Sequence, residues 1–221
     1  MFFEGLFVFE LFLLYFLSHN VTMLFSRFFY RLTRSKNLTV NLLALLFLPG
    51  TILHEMAHML TAMVFFVPVG DISILPKLTS GGVILGSVSM GKTDPLRRLI
   101  IGTAPVFFGI GIIVGALYFI SKNNLLNNYW SILLLAYAVF EIGNTMFSSK
   151  KDMEGAIELL IVVILMGGIF YLMGLRIQIE TIIAFLSQPL ITAVFQKGSI
   201  YLLFPIIVDA VFISVLKIFH R

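Results

Sequence analysis

Apolar runs close to the roughly 20 residues that a helix needs to cross a hydrocarbon core recur along this chain, with the basic residues collected mainly between them. Such a sequence has few ways to fold. Inside lipid every main-chain N–H and C=O must find its partner within the protein, and runs of this length do so as helices rather than as barrel strands. Composition agrees, because with 59% hydrophobic and 12% charged residues the chain cannot cover itself with a water-compatible surface. The expected fold is an all-α polytopic membrane protein of about six transmembrane helices, with a small membrane-associated β-hairpin between the second and third. Spans are expected at about residues 5–26, 40–67, 99–121, 129–148, 155–174 and 198–219. The segment from Gln178 to Phe195 is interrupted at Gln188-Pro189; it lies in the interface, re-enters the membrane or forms a short seventh span. The start, Met1-Phe2-Phe3-Glu4, has no basic region, and no small-residue cleavage site follows, so the first run is read as a span and not as a removable signal.

Charge and cysteine content narrow the partners. The net charge of +4 would suggest nucleic acid in a soluble protein, but these basic residues flank apolar runs, so the lipid bilayer is the expected partner and nucleic acid is discounted. No cysteine occurs, which removes disulfides and thiolate metal sites and leaves the redox compartment open. A metal would have to be bound by His, Asp or Glu.

The second expected span carries the chemical signal, His54-Glu55-Met56-Ala57-His58. Histidines at i and i+4 leave one helical face a turn apart and can converge on one tetrahedral ion, while the intervening Glu reaches a water on that ion. Zn2+ is the expected cofactor, with His54 and His58 as ligands and Glu55 as the base that takes the proton from water. Two histidines and a carboxylate are costly in lipid, which favours a functional cluster over a structural one. Just upstream, Leu48-Pro49-Gly50 should kink or restart the helix. A tetrahedral catalytic zinc needs a third protein ligand. Glu141, Asp152, Glu154, Glu158 and Asp209 are all available, and spacing alone does not choose among them.

Residues 69 to 92 have a different texture. They are rich in β-branched residues, broken at Pro76, and contain Ser80-Gly81-Gly82 followed by Val83-Ile84-Leu85-Gly86-Ser87-Val88. Short strands joined by a glycine turn are expected, either as a plain connector or as something more.

Taken together, His54-Glu55-Met56-Ala57-His58 in a span, the strand region around Gly81-Gly82, Gly102-Thr103-Ala104-Pro105 opening the next span, and Asn144 eight residues before Asp152 resemble the site-2 proteases, a family of intramembrane zinc metalloproteases. The resemblance implies that Asp152 is the third zinc ligand and that Asn144 holds the substrate backbone near the metal. Where the family usually has prolines and Leu-Asp-Gly, this chain has Ser148-Ser149-Lys150-Lys151-Asp152-Met153-Glu154-Gly155, which makes Glu154 the nearest substitute. The resemblance also implies a catalytic core over residues 39–175 with the hairpin at 69–92. Residues 1–38 would then be an N-terminal transmembrane segment and basic connector, and 176–221 C-terminal membrane segments. The expected activity is hydrolysis of peptide bonds in or near the transmembrane segments of membrane-protein substrates. A substrate helix must first be unwound, and pairing it with an exposed edge near residues 82 to 88, Gly82 and Val83 included, would replace its lost hydrogen bonds. Basic residues divide almost evenly between the two faces and do not orient the chain. The resemblance implies a multi-pass protein, expected in the cell membrane, with its site nearer the cytoplasmic side. Two alternatives stand beside this reading: another membrane metallopeptidase of the HExxH type with Glu141 as third ligand, and a non-catalytic membrane protein that binds metal or acts as a scaffold.

Overall fold

The computed structural model describes residues 2–73, 76–79, 82–123, 125, 128–147, 152, 156–174 and 179–218. Of the residues singled out above, Met1, Ser80, Gly81, Gln178 and the stretches 148–151 and 153–155, Glu154 among them, lie outside this set. Eight helices among the described residues carry most of the chain: α1 (Phe2–Thr33), α2 (Lys36–Leu46), α3 (Leu48–Val64), α4 (Pro95–Lys122), α5 (Tyr129–Thr145), α6 (Ala156–Leu172), α7 (Ile179–Leu186) and α8 (Pro189–Ile218). Four short strands lie between α3 and α4: β1 (Val69–Ser73), β2 (Lys77–Thr79), β3 (Gly82–Ile84) and β4 (Ser87–Met90).

Among the described residues three helices, α1, α4 and α8, are long and apolar enough to cross a membrane, and the bent pair α2–α3 makes a fourth if it counts as one span. At 1.5 Å per residue the 28 residues of α4 cover about 42 Å, more than a hydrocarbon core of about 30 Å. The 17 residues each of α5 and α6 reach about 26 Å, so among the described residues length and composition support three or four of the six expected spans. The segment that could have been a seventh span divides at Ser187-Gln188. Its first part, α7, has eight residues and is too short to cross, whereas Pro189 opens α8, where a missing amide costs nothing.

Local chemistry explains the breaks. α2 and α3 meet at 70° because Pro49, in the first turn of α3, has no amide with which to continue the α2 ladder. Ser35 caps α2 by accepting the Leu38 amide, and Asp94 caps α4 by accepting the Arg97 amide at 3.0 Å. That amide and the Arg97 guanidinium hold the Asp94 carboxyl below the usual carboxylate range.

The helices pack around α5, which touches α1, α3, α4 and α8. One cluster joins Leu14, Ile113, Leu135, Val139, Ile142, Met146 and Leu202; a second is aromatic, with Phe47 stacked on Phe140 at 5.9 Å and Phe25 edge-on to both. Leu85, between β3 and β4, packs onto this aromatic cluster and pins the hairpin to the helices. α6 differs, because its described side chains from Ile161 onward are exposed and apolar, as a helix facing lipid would be.

The strand pairs are nested, from Val69↔Met90 through Ile72↔Val88 and Lys77↔Ile84 to Thr79↔Gly82, so the four strands form one interrupted antiparallel hairpin. Its ladder is lost around Pro76 on one arm and Leu85-Gly86 on the other. Proline cannot donate to a ladder; the register shift lies earlier, between Val69 and Ile72, and β1 and β4 contact α3.

Candidate metal centre

Helical spacing brings His54 and His58 together on α3, with Nε2 atoms 3.1 Å apart. Asp152 closes the group, its Oδ1 3.5 Å from His58 Nε2 and its Oδ2 3.7 Å from His54 Nε2. Ligands about 2.0–2.1 Å from a tetrahedral zinc stand about 3.3 Å from one another. The three separations straddle that value. Among the described residues these are the three that could hold a metal, with donor atoms all within 4.8 Å of one another.

The rings are held by their other nitrogens. His54 Nδ1 lies 2.6 Å from the Thr145 carbonyl and His58 Nδ1 2.8 Å from the Ile101 carbonyl. A carbonyl only accepts, so each Nδ1 carries a hydrogen, and in the neutral rings each Nε2 presents its lone pair to the other and to Asp152. Two lone pairs and a carboxylate facing one another repel unless a cation or proton lies between them. This donor set fits zinc, and the carbonyls are the outer partners that fix a ligand histidine's tautomer.

Both carbonyls are free for a reason written in the chain. Ile101 would ordinarily accept the amide of residue 105 in the α4 ladder, but residue 105 is proline. Thr145 is the last residue of α5, and terminal carbonyls have no partner within their own helix. Glycine supplies the remaining access. At Gly102 an added Cβ would overlap the Asp152 carbonyl oxygen, so α4 seats the Asp152 main chain only because no side chain intervenes.

Glu55 is buried beside this group and interacts electrostatically with His54, His58 and Asp152. Its carboxylate accepts a hydrogen bond from the Val88 main chain. The hairpin covers it closely: a Cβ at Gly86 would fall 2.7 Å from Thr51 Cγ2 and 3.0 Å from Glu55 Oε1. A recess of about 10 Å³ beside His54, lined also by Thr145, Pro105 and Phe108, has room for a single water.

No protein-family model, curated protein or solved structure matches this chain.

The other residues singled out in the sequence lie around this centre. Asn144, one residue before the carbonyl that holds His54, donates through Nδ2 to the Phe140 carbonyl at 2.9 Å and to Asp209 Oδ1 of α8 at 2.7 Å. Two acceptors on one nitrogen fix the amide's orientation. Glu141, considered above as an alternative ligand, instead directs Oε2 to the Gly50 amide at 3.3 Å and is not in the metal group. Gly82 and Val83 pair with Thr79 and Leu78 along one edge of β3. Sequence reasoning missed the two carbonyls. Pro105 inside an apolar run was the available signal for Ile101, because it must orphan the carbonyl four residues before it.

Proposed function

We propose that this chain is a zinc-dependent intramembrane endopeptidase of the site-2 protease kind, which cuts peptide bonds in or near the membrane spans of its substrates. The carrying observation is the convergence of two histidine Nε2 atoms and a carboxylate beside a buried glutamate, in a chain with helices apolar enough to lie in a membrane. In this reading the chain is multi-pass, in the cell membrane, and crosses about six times. α5 and α6 then span with slight local thinning of the bilayer, and the centre lies nearer the cytoplasmic side.

His54, His58 and Asp152 would hold the ion, which when bound supplies the Lewis acidity that polarises a peptide carbonyl and acidifies a water. Glu55 accepts the proton of the attacking water. As the C–N bond breaks, the same carboxyl returns that proton to the departing amine nitrogen, so the base is regenerated. Thr145 and Ile101 keep the imidazoles in the tautomer that leaves Nε2 free for the ion.

The recess beside His54 admits a water and not a peptide, so an extended substrate enters by parting the hairpin from α3. It then pairs along the edge that runs from Gly82 and Val83 to Val88 and takes over the Val88 main-chain contact now made with Glu55. Asn144 assists by holding the substrate main chain. Purified protein should contain about one zinc per chain and cleave membrane-span peptides in detergent, and Glu55→Gln should retain the zinc while losing cleavage by about 10²–10⁴-fold. A protein without zinc, or a Glu55→Gln variant that cleaves at the parent rate, overturns the assignment.

A further inference from the structure

We propose that Glu141 is a positioning residue: its carboxylate caps the broken start of the metal helix from the neighbouring α5 and thereby sets the direction of His54. The inference rests on the metal-centre reading above. α3 begins inside the protein, and its N-cap residue, Phe47, offers no side-chain hydrogen bond. The first-turn amides therefore need acceptors from elsewhere, because water is not on hand in the packed interior. Pro49 has no amide to satisfy, and the Thr51 amide returns to the Phe47 carbonyl at 2.8 Å. The Gly50 amide is satisfied by Glu141 Oε2. Carboxylate at a helix N-terminus is favoured by charge as well as by geometry.

Gly50 and His54 are one helical turn apart and face the same stretch of α5. At Gly50 an added Cβ would collide with Thr145 Oγ1 and lie 2.7 Å from the Glu141 carbonyl oxygen, so the two helices touch through backbone there. One turn on, His54 Nδ1–H donates to the Thr145 carbonyl. Thr145 Oγ1 in turn donates to the Glu141 carbonyl at 2.8 Å, so the two anchor points on α5 are themselves tied. Rotation of α3 about its axis would break both contacts together. His58, one turn further along α3, has a second hold of its own on α4 and is therefore displaced less than His54. Glu141 Oε1 has no hydrogen-bond partner among the described residues, so a single acceptor atom accounts for the role.

The test reads the two histidines separately in metal-free protein, by NMR of ¹⁵N-histidine-labelled chain in detergent, with chelator competition for Zn2+ as the second readout. Glu141→Leu should move the His54 Nδ1–H resonance further than that of His58, which keeps its Ile101 partner, and weaken zinc binding by about 10–100-fold. Glu141→Gln keeps an acceptor at the same reach and should restore both. Glu141→Asp keeps the charge but withdraws it by one methylene, and should reproduce the His54 shift even where the Leu variant fails to fold. An unmoved His54 resonance in the Asp variant, or a Gln variant as impaired as Leu, overturns the proposal. Failure of the metal-centre reading is distinct: parent protein would then bind no zinc, or His54→Ala would bind it normally.

Discussion

Replacing Gly102 by alanine adds one methyl group to α4, remote from every ligand atom in sequence terms, and should nevertheless disable the metal centre. An added Cβ would overlap the Asp152 carbonyl oxygen and stand 2.8 Å from its carbonyl carbon. Ordinary contact begins at about 3.4 Å, so restoring the carbon contact alone requires a retreat of about 0.6 Å, and clearing the oxygen requires more, against a tolerance of about 0.2 Å in metal–ligand distances. The displacement exceeds the tolerance roughly threefold, and the Asp152 carboxylate is carried with it. Zinc affinity should fall by about 10–100-fold, or about 1.4–2.7 kcal/mol. The assay is competition with a chromophoric chelator in detergent, with helicity followed by circular dichroism. Gly111→Ala is the control on the same helix, since a Cβ there meets nothing within 4 Å. Equal zinc affinity in the Gly102 and Gly111 variants would refute the reasoning.

Three further outcomes are expected. Asp152→Asn should weaken zinc binding and cleavage together, measured by the same competition and by peptide hydrolysis, whereas a bystander carboxylate would alter neither; normal affinity in this variant moves the third ligand elsewhere. Pro105→Ala returns an amide to the α4 ladder that competes for the Ile101 carbonyl, so His58 should lose its partner and zinc affinity should fall by about tenfold; an unchanged His58 Nδ1–H resonance would show that the proline does not free that carbonyl. Val88→Pro should abolish cleavage while zinc stays bound, and Val83→Ile should have a much smaller effect, because the proposed contacts are main-chain ones; prolines from Val83 to Val88 that all cleave normally would reduce the hairpin to a connector.

The carboxylates buried among apolar residues show why composition alone could not assign roles. Glu10, Glu141 and Asp209 look alike in the sequence, each a single acid in an apolar run. In the fold Glu141 meets a main-chain amide and Asp209 an asparagine. Neither partner is near in sequence: Gly50 lies 91 positions from Glu141, and Asn144 lies 65 from Asp209. Such pairings are set by helix packing, which no local pattern encodes.

What the sequence determined by itself was whatever depends on helical periodicity and on missing main-chain donors. The i, i+4 spacing is enough to bring His54 and His58 to one face, and Pro49 is enough to break the helix before them. The glycine-punctuated β pattern was enough for strands within 69–92, though not for their division into two ladders or for the register shift between Val69 and Ile72. Of the six spans expected from apolar runs, three or four are long enough among the described residues, while α5 and α6 have 17 residues each. Only the tertiary structure decided which carboxylate joins the histidines and which way their rings turn. Asp152 arrives from 94 positions beyond His58 because Gly102 leaves room for its main chain, and the rings are set by carbonyls of two other helices. The convergence of these three donors, which could hold a metal ion, comes from the packing of α3 against α4 and α5 and not from any one segment of the chain.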